Sequence, residues 1–519
     1  MLFLPTREGE DPIIKEYTAG QLSANRISQG CPREWPKVHR NPANTPNYVD
    51  DSELGLYRDW DYENEKRKAE KARVLAAALT EFPPDVLTSK GIAFPEAGPR
   101  KYLRYPNRNN RLTVGVLVSG GIAPGINAVI AGIVERQFLY ATKGHFEMGM
   151  KVLGYQDGFA SLCFPGIQFR RLDLETIDGL ASAGGSFLGT SRTPELVDSD
   201  PSRRRRVLED CVNCLSGNGV EILYIIGGDG SMRAAHALWR TARDLDKELS
   251  IVAVPKTIDN DVLWVWQSFG FLSAVAKSEE VIRQLYTEAK SNPRLCVIQL
   301  FGSDSGFVVT HAVSASGVCD LFLVPEVPFT LRHISSYLAE RLRQRFLTEN
   351  PQRAYGMVVM AETAVPQDAR DYFDDPEVDL TEKEKNEIES YLTAKRVFGP
   401  TPDALRSGAL KLVSRVLQNE IRKMEGDYWN NFRVFTNEPR HLIRSAPPSS
   451  SDIIFGKRLG SLAVDCAMAG YTDFMISQWL TEYVMVPLRL VTLGRKRISR
   501  DGVFYKSSRA STGQPADLA

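Results

Sequence analysis

The chain has 519 residues, too many for one ordinary hydrophobic core, so two or three folding units are expected. Hydrophobic residues make up 43% and charged residues 25%, the balance of a globular protein. Lys+Arg and Asp+Glu are equal at 64 each, which excludes a global field drawing nucleic acid or an anionic membrane. No window of about 20 apolar residues occurs, so no membrane span is expected. Glu8, Glu10 and Asp11 precede any useful apolar run, so no signal peptide is expected. The seven scattered cysteines fit a reducing compartment, and Asp517-Leu518-Ala519 is no peroxisomal address; a cytoplasmic location is expected.

Residues 1–110 are rich in Pro, Asn and charge and read as an N-terminal extension wrapped on a neighbouring domain or subunit. One helix is predicted there over about 62–82, with Ala69, Ala72, Leu75, Ala76 and Leu79 as its apolar face. From Leu112 the pattern becomes a buried strand Leu112–Val118, a turn Gly120-Gly121-Ile122-Ala123-Pro124-Gly125, and a helix over 126–139. Further strands are predicted near Val152, Ile222, Ile251, Leu295, Leu321 and Gly356, with helical stretches between most of them. That alternation implies βαβ units and a parallel sheet. Arg203-Arg204-Arg205-Arg206 opens a helix and reads as a solvated face. Cys211 and Cys214 share a helix face with Val207, Leu208, Val212 and Leu215 and read as core packing, since nothing nearby completes a zinc set. Residues 365–428 are charged and helical, an insertion or interdomain clasp. Ser450-Ser451-Asp452 is expected to cap a last long helix to about Met468, and 473–479 to give one more strand.

Two acidic turns follow apolar runs. Gly227-Gly228-Asp229-Gly230-Ser231 comes after Ile222-Leu223-Tyr224-Ile225-Ile226, and Thr257-Ile258-Asp259-Asn260-Asp261 after Ile251-Val252-Ala253-Val254-Pro255-Lys256. In an open α/β sheet ligands sit beyond the carboxyl ends of such strands. The sequence therefore aims a glycine-rich phosphate cradle and three carboxylates at one crevice. Glycine turns between strand and helix bring phosphate oxygens to backbone N–H groups at a positive helix end. Gly120, Gly121 and Gly125 suit this, with a tight structural turn as the alternative. Asp229, flanked by glycines, would hold magnesium on the phosphates; helix capping is its alternative. The turn Gly184-Gly185-Ser186-Phe187-Leu188-Gly189-Thr190-Ser191-Arg192 offers a guanidinium to a phosphate oxygen, or else a surface ion pair. Asp259 and Asp261 alternate along a segment read as extended, so both can face the crevice. Asp259 is assigned as acceptor of a hydroxyl proton, with Asp261 orienting it. Together these features ask for magnesium-dependent phosphoryl transfer to a hydroxyl group.

From about Leu112 to about Leu490 the chain resembles the phosphofructokinase family, in the longer forms of plants, trypanosomatids and some bacteria. The resemblance rests on the segments above, taken in order. It continues in Ser268-Phe269-Gly270-Phe271, Asp304-Ser305-Gly306-Phe307, Val324-Pro325-Glu326-Val327-Pro328-Phe329 and Ala361-Glu362. A GGDG turn alone also resembles NAD kinases and diacylglycerol-type lipid kinases, which lack the TIDND strand end. The fold implied is α/β, with two Rossmann-like parallel-sheet domains, an N-terminal extension and a helical insertion. Residues 111–270 with about 442–490 would be the nucleotide-binding domain, 271–441 the sugar-phosphate domain with its insertion at 365–430, and 491–519 a C-terminal tail. The resemblance places ATP at Gly121, Phe159, Arg192, Thr193, Gly228, Asp229, Gly230 and Ser231, with Mg2+ on Asp229. It places fructose 6-phosphate at Thr257, Asp259, Arg294, Phe301, Gly302, Ser303, Glu362, His441 and Arg444. Basic residues borrowed from an adjacent subunit imply a homo-oligomer, a tetramer.

The phosphoryl donor turns on position 230. Pyrophosphate-using members usually carry Asp there, which would crowd and repel a nucleotide's inner phosphate; Gly230 leaves room for ATP. Lys256 looks pyrophosphate-like, yet the longer ATP-using forms combine Gly with Lys. Two departures stand out. The family usually reads Met-Gly-Arg where this chain has Phe301-Gly302-Ser303, and Phe435 occupies a place usually basic, six before His441. Trp266 and Ala276 stand where acidic residues are common. The leading expectation is a working ATP-dependent 6-phosphofructokinase. The alternatives are a pyrophosphate-dependent enzyme, one acting on another sugar phosphate such as sedoheptulose 7-phosphate, and a catalytically weak regulatory subunit.

Overall fold

The computed structural model describes residues 39–40, 94–100, 103–106, 109–163, 169–192, 196, 200–349, 351–394, 401–479, 482–492 and 495–519. The helix predicted over 62–82 and the candidate Thr193 lie outside the described residues. The chain divides into two units. The first takes the described residues up to Ile258, Val262–Ser273 and Ser445–Lys496; the second takes Asp259–Asp261, Ala274–Arg444 and Arg497–Ala519.

In the first unit one sheet holds seven strands among the described residues. Their spatial order is Glu482–Pro487, Phe474–Trp479, Ser250–Pro255, Ile222–Gly227, Leu112–Val118, Met150–Tyr155 and Phe169–Leu172. The inner pairings are parallel and the two edge pairings antiparallel. Ile222–Gly227 and Ser250–Pro255 are buried along their whole length, which is why they read as continuous apolar runs rather than alternating ones. The Pro201–Gly217 helix starts where Asp200 accepts the Ser202 N–H at 2.9 Å and Pro201 stands in the first turn.

The helix Ser450–Met468 lies against Ile126–Lys143 so closely that a Cβ on Gly132 would meet the Lys457 carbonyl oxygen at 2.2 Å, and one on Gly460 the Val129 oxygen at 2.5 Å. Only hydrogen fits at that crossing. A bidentate pair fixes the same contact: Arg136 donates to both oxygens of buried Asp465 at 2.7 and 3.0 Å, and Tyr140 adds a third bond at 3.0 Å. The cap of the later helix is Ser449, not Ser450; its hydroxyl accepts the Asp452 N–H. The last expected strand begins at Phe474, because Asp473 has left-handed φ of 57°.

The second unit carries a four-stranded parallel sheet in the order Val434–Asn437, Leu295–Leu300, Gly356–Ala361, Leu321–Leu323. The edge strand Val434–Asn437 escaped the sequence reading, being short and only half-buried. The charged insertion forms the helices Glu382–Ala394 and Asp403–Arg422. Residues 497–519 are more than a tail. They include the helix Val503–Thr512, and Gln514 exchanges hydrogen bonds with the Phe322 backbone at 2.8 and 3.2 Å.

Candidate active site

The first unit brings two of the expected turns together. Gly120 donates its N–H to the Ser191 carbonyl at 3.0 Å, and Thr190 Oγ1 donates back to the Gly120 carbonyl at 2.7 Å, so the loop ending at Arg192 closes on the first glycine turn. Asn127, just inside the Ile126–Lys143 helix, straps the other end of that loop. Its Nδ2 donates to Ala183 O at 3.0 Å and its Oδ1 accepts Phe187 N–H at 2.8 Å. Lys256 is buried and its Nζ donates to the Gly121 carbonyl, a turn-holding contact that the sequence reading did not foresee. Phe159, expected beside an adenine, is buried in the unit's hydrophobic core, while Arg192 is exposed.

Asp229 begins the helix Asp229–Asp244, with Gly228 as its cap, and Ser231 is buried in the first turn. Backbone N–H groups at that end have no intrahelical partner and favour an anion. Gly230 faces open space: a Cβ there would meet nothing within 4 Å. The Asp229 carboxylate lies between two guanidiniums, Arg233 at 3.3 Å and Arg495 at 3.6 Å. Arg233 was legible as an i,i+4 neighbour; Arg495, from a distant segment, was not. Among the described residues no cluster of three or more His, Cys, Asp or Glu side chains could hold a metal. A lone carboxylate nonetheless suits Mg2+, which usually takes one or two carboxylates and completes its shell with phosphate oxygens and water.

Thr257 belongs to the first unit, where its carbonyl accepts Ser268 Oγ at 2.7 Å; the second unit holds the other described candidates. Asp259 and Asp261 do not alternate along an extended strand. Asn260 between them has left-handed φ of 54°, so the chain bends, leaving Asp259 half-exposed and Asp261 buried. The Asp259 carbonyl accepts Ser305 Oγ at 3.1 Å, which ties it to the turn after Leu295–Leu300. In that turn a Cβ on Gly302 would meet the Ser305 carbonyl oxygen at 2.5 Å, and Ser303 has φ of 44°. Phe301, Gly302 and Ser303 are thus brought to Glu362. Its Oε1 accepts the Ser303 N–H at 3.0 Å and Thr401 Oγ1 at 2.9 Å. Burial pushes the Glu362 carboxyl up from its ordinary value, opposed by Thr401, Arg406, Arg444 and the Ser303 N–H. Arg444 lies over the Phe301 ring at 3.8 Å, on the short helix Arg440–Arg444 that also carries exposed His441.

Arg294 is placed elsewhere. It precedes the strand Leu295–Leu300, whereas Phe301 follows it, so within one chain the two stand roughly 20 Å apart by strand rise. Its guanidinium lies 5.3 Å from the centre of the Phe435 ring and 3.5 Å from Glu288. Arg294 and Phe435, the latter at a place that the resemblance treats as basic, therefore sit at the amino end of this sheet, away from Glu362.

Residues 113–467 match the family described as Phosphofructokinase. The chain is 31% identical over 431 residues to an ATP-dependent 6-phosphofructokinase of Amycolatopsis methanolica, covering 82% of this chain and 83% of that one. It is 29% identical over 414 residues to the ATP-dependent 6-phosphofructokinase of Trypanosoma brucei brucei, covering 77% and 72%. A pyrophosphate-dependent phosphofructokinase structure from Marinobacter aquaeolei superposes with a TM-score of 0.56 at 17% identity, over 79% of this chain and 92% of that one, a likeness of fold. The chain is α/β with parallel sheets, and its relatives and family make it a phosphotransferase. The chain belongs to the phosphofructokinase family.

Proposed function

We propose that this chain is an ATP-dependent 6-phosphofructokinase of glycolysis, moving the γ-phosphoryl group of ATP to the C1 hydroxyl of fructose 6-phosphate. The observation that carries the donor choice is the open space at Gly230, beside the helix start that favours an anion. The names of the related enzymes agree with it. In this reading Gly121, Gly228, Gly230, Ser231 and Arg192 receive the nucleotide, with Thr193 of the same loop. Asp229 would hold Mg2+, which supplies charge neutralisation on the phosphate oxygens. Arg233 and Arg495, which lie at Asp229, would share those oxygens with it.

Asp259 takes the C1 hydroxyl proton as the phosphoryl group arrives, and Thr257 and Asp261 keep the bend in shape. Glu362 accepts sugar hydroxyls, while His441 and Arg444 meet the sugar's phosphate. Arg294, at the far end of its strand, serves the sugar site of an adjacent subunit, which makes the working form a homo-oligomer, a cytoplasmic tetramer. The test is a coupled assay run with ATP and with pyrophosphate in parallel on wild type and Gly230→Asp. Wild type should use ATP, and the variant should lose ATP use while keeping any pyrophosphate activity. A wild type that prefers pyrophosphate refutes the donor assignment.

A further inference from the structure

The insertion helix Asp403–Arg422 delivers a guanidinium to the carboxylate at the centre of the second unit's cluster. Arg406 Nη1 lies 3.6 Å from Glu362 Oε2, and the Arg406 side chain is only 15% exposed. Its backbone is fixed independently: Gln299, buried in the strand Leu295–Leu300, donates to the Arg406 carbonyl at 3.0 Å. The side chain's hydrogen bonding is incomplete. Arg406 Nε and Glu362 Oε2 are both buried without a hydrogen-bond partner, while Glu362 Oε1 is filled by Ser303 and Thr401. Buried N–H groups of a guanidinium are rarely left without an acceptor. The remaining ionic partner, Asp403, has its side chain in solvent, where pairing is weak.

The electrostatic surroundings call for an anion. Burial, followed by the like charges of Arg440 and Arg444, lowers the Arg406 pKa, while Glu362 and Glu438 act against that. Three guanidiniums thus stand near one another, with Arg440 paired to Glu438 at 3.1 Å and Arg444 on the Phe301 ring. Such crowding is relieved by a dianion, and a guanidinium fork matches phosphate oxygens. Glu362 also bonds the Ser303 N–H, so Arg406 and the Ser303 turn meet at the same carboxylate.

We propose that Arg406 is a substrate-binding residue, a cation from the helical insertion that takes the phosphate group of the sugar phosphate beside Arg444. This rests on the reading that the second unit receives a sugar phosphate. It also assigns the insertion a part in specificity, because a sugar without a phosphate would leave the guanidinium cluster unanswered.

The experiment compares wild type, Arg406→Ala and Arg406→Lys in turnover and in calorimetric binding of fructose 6-phosphate and of inorganic phosphate. A lost charge-assisted contact is worth about 10- to 100-fold in affinity. The KM for fructose 6-phosphate and the Kd for inorganic phosphate should both rise by that factor in Arg406→Ala, with the KM for ATP unchanged. Arg406→Lys, which keeps charge but loses the fork, should fall between. A residue that only packs against Glu362 would alter the melting temperature and leave these constants alone. A folded Arg406→Ala with both constants within twofold of wild type overturns the proposal. If that variant does not fold, the same constants measured on Arg406→Lys decide. A wild type that binds inorganic phosphate through Arg406 yet does not phosphorylate fructose 6-phosphate overturns the functional reading alone.

Discussion

The glycine turns of the first unit and the carboxylate–arginine cluster of the second present opposite kinds of ligand surface. The first is made of backbone: turns at Gly120 and Gly228, a helix start at Asp229, and side chains such as Asn127 and Lys256 that serve to hold the turns. The second is made of side chains. Glu362, Thr401, Arg406 and Arg444 come from three separate stretches and meet around one buried carboxyl. Backbone cradles tolerate change in the side chains around them. A side-chain cluster depends on each member, because removing one leaves a buried group unanswered.

The largest expected effect lies at the bend where these features adjoin in sequence. Asp259→Asn keeps the shape and the Ser305 bond to the Asp259 carbonyl but removes the proton acceptor. Turnover should fall ~10²–10⁴-fold with little change in fructose 6-phosphate affinity. Near-normal steady-state turnover would move the base to another residue.

A smaller effect is expected at Ser303, and it sharpens the contrast. Position 303 contributes through its N–H to Glu362, and its φ of 44° suits a small polar residue better than a long one. Ser303→Arg should therefore leave kcat nearly unchanged, with a slight loss of stability. If the chain lacks only the family's usual cation there, the variant would instead gain up to ~10²-fold, by analogy with restored oxyanion donors. Such a gain would favour a regulatory chain over a working kinase.

The smallest effect concerns stability alone. Burial pushes the Glu326 carboxyl up to about 7, although the N–H groups of Ile498 and Gly306 both donate to it. In the unfolded chain the group ionises near 4.5, while the folded chain keeps its proton to about 7. Its contribution to stability is thus full below the lower value and falls as pH rises through that window. Glu326→Gln should match wild type in melting temperature at acidic pH and exceed it at pH 8, by an amount worth about 1–3 kcal/mol. Equal melting curves at both ends would show that the carboxyl titrates normally.

How much of this was legible follows the same division. The strand runs Ile222–Gly227 and Ser250–Pro255 and the glycine-flanked turn at Asp229 are each contiguous in sequence, so local backbone chemistry was enough to read them, while the room at Gly230 was read from the family resemblance. A parallel sheet followed from the alternation of strands and helices, and the division into two such domains from the family resemblance. The bend at Asn260 was not legible, since alternating carboxylates look extended until a left-handed residue breaks the period. Arg495 beside Asp229, Arg406 beside Glu362 and the placement of Arg294 at the opposite end of its strand were decided by tertiary structure. Their partners lie far away along the chain, and contacts closed over such loops leave no periodicity or spacing in the sequence. The sequence by itself determined which backbone turns could receive a phosphate. The fold decided which charges stand around it, because a buried carboxyl is answered by whichever guanidinium the packing of distant helices brings within reach.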